Sequence, residues 1–359
     1  MRELGAILAS ISLMAGCANS SGDSYSAETP SDPKNEVHTE REVHTEEFVL
    51  EPLSEPWPAE ITRDELIGAA LYEAFGSFDT MKVDQCPINR YVYMADTFHE
   101  DHVELVETFT LDVINLFCED LHTDIHVVGG KHDFVLETIT ANDLPSDPHG
   151  GVCGVPVGEE MSANWFVACA YDGDIAWIGS TLGTVRFGEL MTDEWKLASS
   201  IHEVIHLVQD QQFSGGEHGT PARPHPRFRP VWLIEGGAEF LADSVAKYLG
   251  IQEYQWTTPT DRSGGRISLD VSSDLEVFEW WASPSLGPVD YYVGQVASEY
   301  LVASVGFDAY MDIFRRMDAN EGDFDKSFEE AIGISLEDFY GKFETMHLNL
   351  YDKKVIIDD

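Results

Sequence analysis

An α+β fold in two parts, a small sheet in the first and mainly helices in the second, is what this 359-residue sequence predicts. Three observations carry that expectation. Residues 100–119 repeat their apolar side chains at helical spacing, whereas DIHVV at 124–128 reads as a strand. The apolar runs NWFVACA (164–170) and IAWI (175–178) flank Tyr171-Asp172-Gly173-Asp174, and Asp-Gly between such runs signals a hairpin. From Thr192 onward the pattern is mainly helical. The body therefore divides into a mixed subdomain over 61–213 and a helical subdomain over 214–359.

The chain opens MRELGAILASISLMAGCANS, with an apolar run Ile7–Met14 that ends in Ala15-Gly16-Cys17. That run is too short to span a bilayer. Residues 1–17 read as a bacterial lipoprotein signal, with an ordinary secretory signal as the alternative. The lipoprotein reading implies cleavage before Cys17 and acylation of its thiol. The protein would then be held in the cell envelope by an N-terminal lipid anchor, stably so only if several acyl chains are attached. Residues 18–60 are rich in Ser, Glu, Asp, Pro and Thr and include the tandem hexads EVHTER and EVHTEE. Such a segment buries too little apolar surface to order itself and is expected to be a flexible acidic tether. His38 and His44 within the hexads read as solvated linker residues.

Four cysteines remain: Cys86, Cys118, Cys153 and Cys169. In an exported chain an even count favours two disulfides, and locality alone favours Cys86–Cys118 with Cys153–Cys169. The hairpin precedes a helix whose sequence includes His-Glu-Val-Ile-His at 202–206. Thr192 or Asp193 can cap that helix, and Leu197, Ala198, Ile201, Val204, Ile205, Leu207 and Val208 supply its buried face. Imidazoles four residues apart project from one helix face, so His202 and His206 can reach the same metal ion. Glu203 stands about 100° around the helix, beside such an ion rather than on it. A bland alternative is a helix whose histidines are satisfied by ordinary hydrogen bonds. Burying two His and one Glu is costly, and a metal would offset that cost.

Two nitrogen ligands leave Zn2+ short of a tetrahedral set. The third candidate is Glu235, in VWLIEGGAEF at 231–240. Glu239 follows at i+4 on the same face, where it could accept the second ring N–H of a ligand histidine. Between the motifs lies SGGEHGTPARPHPRFRP (214–230), whose Arg223, Arg227 and Arg229 cluster in an otherwise acidic chain. They read either as cleft residues for a substrate carboxylate or as partners of surface acids, the latter slightly favoured. Residues 290–303, DYYVGQVASEYLVA, form a helix with Val293, Val296, Ala297 and Leu301 inward. Residues 327–346 read as helix–turn–helix packing.

The pair HEVIHLVQDQQF and WLIEGGAEFL resembles the gluzincin class of zinc metallopeptidases, especially bacterial peptidases with HExxHxxQ followed by W-L-x-E-G-x-A-E. The resemblance is strong over about 25 residues. It implies a zincin-like fold, with His202, His206 and Glu235 on Zn2+, Glu203 as general base and Glu239 behind the ligands. It also implies a tyrosine that steadies the oxyanion. Tyr291, before Gly294, fits that role by alignment, with Tyr292 the second choice. In this class the edge strand before the metal helix binds extended peptide, a role strand addition can fill regardless of sequence. Metzincins are excluded because positions 209 and 212 hold Gln rather than Gly and His.

The expected function is a zinc-dependent endopeptidase of the cell envelope acting on a peptide or protein substrate. The alternative is a non-catalytic lipoprotein that keeps the fold as a binding or assembly scaffold. An aminopeptidase lacks support, since no G-x-M-E-N type motif is present, and the missing Gly-x-Ser-x-Gly elbow leaves serine hydrolase chemistry without a basis. With 65 acidic against 21 basic residues the net charge is −44, which excludes nucleic acid as a partner.

Overall fold

A computed structural model describes residues 48–95, 100–130, 132–142, 166–171, 175–180, 201–209, 211, 230–254, 274–278 and 287–352. Their class is α+β, with helices dominant. The first helix, α1 (Arg63–Met81), begins in a capping box. The Thr62 hydroxyl accepts from the Glu65 N–H, and the Glu65 carboxylate accepts from the Thr62 N–H at 2.9 Å. Leu66, Ile67, Ala70, Leu71, Ala74 and Phe78 then form the buried stripe of this helix.

A four-stranded sheet follows, in the order β1-β2-β4-β3. Strands β1 (Arg90–Met94) and β2 (Ile125–Gly129) are parallel and joined through α2 (Glu100–Leu116). After α3 (His132–Asn142) come β3 (Phe166–Tyr171) and β4 (Ile175–Ser180), antiparallel to each other, with β4 parallel to β2. The hairpin and the strand at 124–128 thus fall where the sequence puts them. The Asp-Gly turn itself lies outside the described residues. Cys86 and Cys118 are disulfide-bonded with Cα atoms 5.5 Å apart, joining the loop after α1 to the end of α2. The other expected pair includes Cys153, outside the described residues.

Residues 201–209 form the helix α4. Then come α5 (Val231–Tyr248), α6 (Gly287–Val305), α7 (Phe307–Ala319), α8 (Phe324–Ile332) and α9 (Leu336–Asp352). The turn between α8 and α9 is made by Gly333 in the left-handed region (φ 82°), which ends α8 without a Cβ clash. Buried side chains of α1, β2, α4, α5, α6, α7 and α9 belong to one continuous apolar cluster. No helix among the described residues is long and apolar enough to cross a membrane.

The tether expected to end at residue 60 instead meets the body from Phe48 onward. Phe48 stands edge-on to Tyr254 at 6.2 Å, and Trp57 edge-on to Tyr300 at 5.5 Å. The Tyr300 hydroxyl donates to the Pro58 carbonyl, and Asn349 Nδ2 to that of Ala59. Phe48, Leu53 and Trp57 give this stretch enough apolar surface to dock, although its composition is otherwise that of a linker.

His347 of α9 is fully buried, its ring stacked on Phe343 at 5.1 Å. Burial, reinforced by the Arg63 cation, lowers its pKa to about 3. The fold therefore holds His347 neutral, while the unfolded chain titrates it near 6.5. Its contribution to stability is complete above about pH 6.5 and is lost as pH falls from there toward 3. Denaturant titrations from about pH 7.5 down to pH 5 should show stability falling by up to about 1.4 kcal/mol per pH unit from this residue. His347→Gln should remove that component of the slope, and an unchanged slope would refute it.

Candidate metal centre

Helix α4 presents its apolar side to the core through Ile201, Val204, Ile205, Leu207 and Val208. His202 and His206 share the other side, one turn apart, with ring centroids 4.5 Å apart and ring planes at 88°. Glu235 enters from the first turns of α5. Its Oε2 lies 3.3 Å from His202 Nε2 and 3.3 Å from His206 Nε2. Among the described residues these three form a group able to hold a metal ion, with ligand atoms all within 4.8 Å of one another.

The spacing bears on which ion would fit. Ligand atoms at bonds of about 2.0–2.1 Å from a tetrahedral centre sit roughly 3.3 Å apart, which is the separation of the carboxylate oxygen from each imidazole. Two imidazoles and one carboxylate also suit zinc in chemical type. The donor set fits the ion.

The electrostatics of the group follow from its burial. Burial alone would depress His206, but the Glu235 carboxylate outweighs it and, with Glu203, raises the imidazole to about pKa 10. Burial likewise works against Glu235, yet the two histidines hold its carboxyl well below the usual carboxylate range. A cation binding here would displace the proton held in this pair. Glu203 is raised by burial, with Glu235 and Glu239 adding to the effect and the histidines opposing it.

The nitrogens facing away from Glu235 decide how the rings are held. His206 Nδ1 lies 2.8 Å from Gln209 Oε1, an acceptor, so Nδ1 carries the proton and Nε2 is left as the ligand atom. Gln209 in turn donates to the Ile234 carbonyl at 3.1 Å, tying α4 to α5 beside Glu235. At the end of this helical segment the buried Gln211 accepts from the His122 and Thr123 N–H groups, anchoring it to the turn before β2. Glu239 stands 3.9 Å from His202 Nδ1, too far for the hydrogen bond its position suggested.

Of the two tyrosine candidates, Tyr291 is at the site and Tyr292 is not. The Tyr291 ring lies 5.8 Å from that of His202. Burial, then the carboxylates of Glu235, Glu203 and Glu239, keep the Tyr291 hydroxyl protonated. Tyr292 is fully buried and turned toward His347. Cys17 and the arginines at 223, 227 and 229 lie outside the described residues.

Glu235 and Tyr291 come to the same site because α5 and α6 touch backbone to backbone. A Cβ on Gly236 would fall 2.2 Å from the Gly294 Cα, and one on Gly294 would fall 2.2 Å from the Trp232 carbonyl oxygen. Gly237 serves a related purpose, since a Cβ there would strike the Tyr310 hydroxyl at 2.2 Å and meet Gln209 Nε2 at 3.5 Å. Gln209 and Gly294 are the residues whose part the sequence reading missed. Gln209 was legible as the position three after His206 on the same helix face.

Comparison of the chain with protein-family models, with curated proteins and with solved structures finds no match.

The glycine contact can be tested against a neutral control. Gly294→Ala must push two backbones apart and should destabilise the fold by about 1–3 kcal/mol or more. Gly76→Ala, in α1 where a Cβ would meet nothing within 4 Å, should instead stabilise by about 0.5–1 kcal/mol. Equal effects of the two in chemical unfolding would contradict the crossing.

Proposed function

We propose that the chain is a zinc-dependent peptidase with a zincin-like fold, cleaving peptide bonds in protein or peptide substrates. Cys17 would serve as its lipid anchor at the cell envelope. The observation that carries this reading is the convergence of His202, His206 and Glu235, whose ligand atoms lie within 4.8 Å of one another with the carboxylate 3.3 Å from each imidazole.

His202, His206 and Glu235 would hold the ion, and Gln209 keeps His206 in the tautomer that leaves Nε2 available. Zn2+ so bound supplies a Lewis acid and lowers the pKa of a water in the site to about 7. Glu203, beside the ligands and raised in pKa, suits a general base. It takes the proton from the attacking water and returns it to the leaving amine, so no net proton is gained or lost. Tyr291, kept as a neutral hydroxyl, donates a hydrogen bond where negative charge develops on the scissile carbonyl oxygen.

Among the described residues β3 stands at one edge of the sheet, and strand addition there would hold a substrate through its main chain. The arrangement thus suits cleavage within a chain rather than at a recognised terminus.

The test is chemical. Purified protein should contain about one zinc per chain, and a casein digest should stop on addition of a chelator and resume with Zn2+. Glu203→Gln should retain the metal and lower turnover by at least about 10²-fold. Full turnover by that variant would refute the assigned base. A zinc-replete wild type that cleaves no peptide in a broad library would favour the scaffold reading.

A further inference from the structure

Five large apolar side chains are well exposed among the described residues, and three of them lie together: Val49 at 70%, Leu50 at 40% and Tyr72 at 44%. Single exposed apolar residues are ordinary, whereas a cluster marks a surface that something covers. The cluster has a built frame. On α1, Gly68, Tyr72, Phe75 and Asp79 recur at helical spacing on one face, and Lys82 caps the same stripe. The Val49 carbonyl lies against Gly68, where a Cβ would fall 2.3 Å from its oxygen. That close approach lays the chain from Phe48 to Leu50 along α1 and leaves the Val49 and Leu50 side chains outward. Phe75 meets Tyr248, the last residue of α5, at 5.4 Å.

Cations border the same face. Lys82 Nζ stands 5.9 Å over the Tyr248 ring, and Lys247 Nζ stands 6.0 Å over the Phe48 ring. Lysine stems cover apolar surface while their ammonium groups reach outward, which suits a boundary between hydrocarbon and phosphate. The Tyr72 ring, apolar in body and polar at its tip, suits the same boundary. Carboxylates are present as well: Glu51, Asp64, Glu65, Asp79 and Glu253. Of these, Glu65 bonds Thr62, Asp79 accepts from the Tyr248 hydroxyl and Glu253 pairs with Lys247. Apolar side chains bordered by both signs of charge match a zwitterionic headgroup layer and not an anionic one.

The place where the chain enters the body selects the occupant. Residues 1–47, which include Cys17, join the body at Phe48, directly beside this face. Residues 18–47 span at most about 100 Å. A body anchored at Cys17 therefore stays at a concentration on the order of 1 mM near its own membrane, and even a contact of millimolar strength is populated. Such a contact leaves the candidate metal centre clear, because Glu235 precedes Lys247 by twelve residues, roughly 18 Å along α5.

We propose that the face formed by Val49, Leu50, Tyr72, Lys82 and Lys247 docks on a zwitterionic lipid bilayer and sets how the body sits on the membrane. The choice of occupant rests on the lipid-anchor reading of Cys17 and does not need the peptidase reading.

The test is backbone hydrogen exchange in the full chain held on vesicles of phosphatidylcholine and phosphatidylethanolamine. Acyl chains on Cys17 hold it there. Where mass spectrometry finds that thiol unmodified, the anchor reading alone falls, and a histidine tag at the same terminus on a nickel-chelating lipid takes over the tethering. Amides of residues 49–51 make no backbone hydrogen bond among the described residues, and they should exchange at least about tenfold more slowly on vesicles than in solution. Val49→Glu combined with Leu50→Glu should abolish the slowing without moving the unfolding midpoint in solution. Tyr72→Ser, on a different element, should weaken it. Phosphatidylglycerol in place of the zwitterionic lipids should release the body at low salt. Equal exchange on and off vesicles would overturn the docking, as would slowing that survives both variants or grows with anionic lipid. Slowing that follows protein concentration without vesicles would give the face to a second copy and overturn it equally.

Discussion

The contact of two backbones at Gly236 and Gly294 is the constraint on which the candidate site rests. Where a Cβ would stand there is already a Gly294 Cα or a Trp232 carbonyl, so α5 and α6 approach more closely than helices carrying side chains at the crossing. Glu235 is the residue immediately before one glycine, and Tyr291 stands one turn before the other. The crossing therefore sets how near each stands to the other. Around it the helices pack through apolar side chains, among them Leu233, Leu241, Val293, Val296 and Ala297. The buried bond from Gln295 to Asp243 adds a polar tie between the same two helices.

The third arm of the site, α4, is held differently. It contributes an apolar stripe to the core, but its depth beside α5 is set by polar side chains at its C-terminal end. Gln209 bonds a ring nitrogen of His206 and a carbonyl of α5 at once. Gln211 receives two backbone N–H groups from the turn that follows Cys118–Asp120. That turn is itself held by the Cys86–Cys118 disulfide and by Arg315, which bonds Asp120 through two nitrogens at 2.7 and 2.9 Å. The sheet half and the helical half thus both bear on the position of the imidazoles.

Much of this was legible in the sequence, and the parts that were not share a cause. Local pattern could be read directly: the four-residue separation of His202 and His206, the i+4 relation of Glu235 and Glu239, and the apolar runs flanking Asp172-Gly173. Contacts between elements could not. Alignment favoured Tyr291 over Tyr292, but only the helix crossing shows that one faces His202 and the other His347. Glu239 has the right spacing for a bond to His202, yet 3.9 Å separates them, because helix periodicity fixes a face and not a side-chain reach. The segment from Phe48 to residue 60 misled for a different reason. Its composition is that of a linker, but three large apolar residues suffice to dock it where the helices leave grooves.

Charge raises the last question of consistency, since a chain at −44 must repel itself. Two cations sit where repulsion would otherwise act inside the fold. Arg63 is buried against Glu299 and Arg315 neutralises the buried Asp120, whereas Arg316 bridges Asp312 of its own helix to Glu330 of α8 at the surface. Among surface charges, salt at physiological strength screens interactions beyond about 8 Å. Screening weakens surface repulsion far more than it weakens a pair excluded from water. Rising ionic strength should relieve the surface while leaving the buried Arg63–Glu299 pair and its bond to Tyr254 intact, so the interior beside the candidate site is insulated from the excess charge that surrounds it.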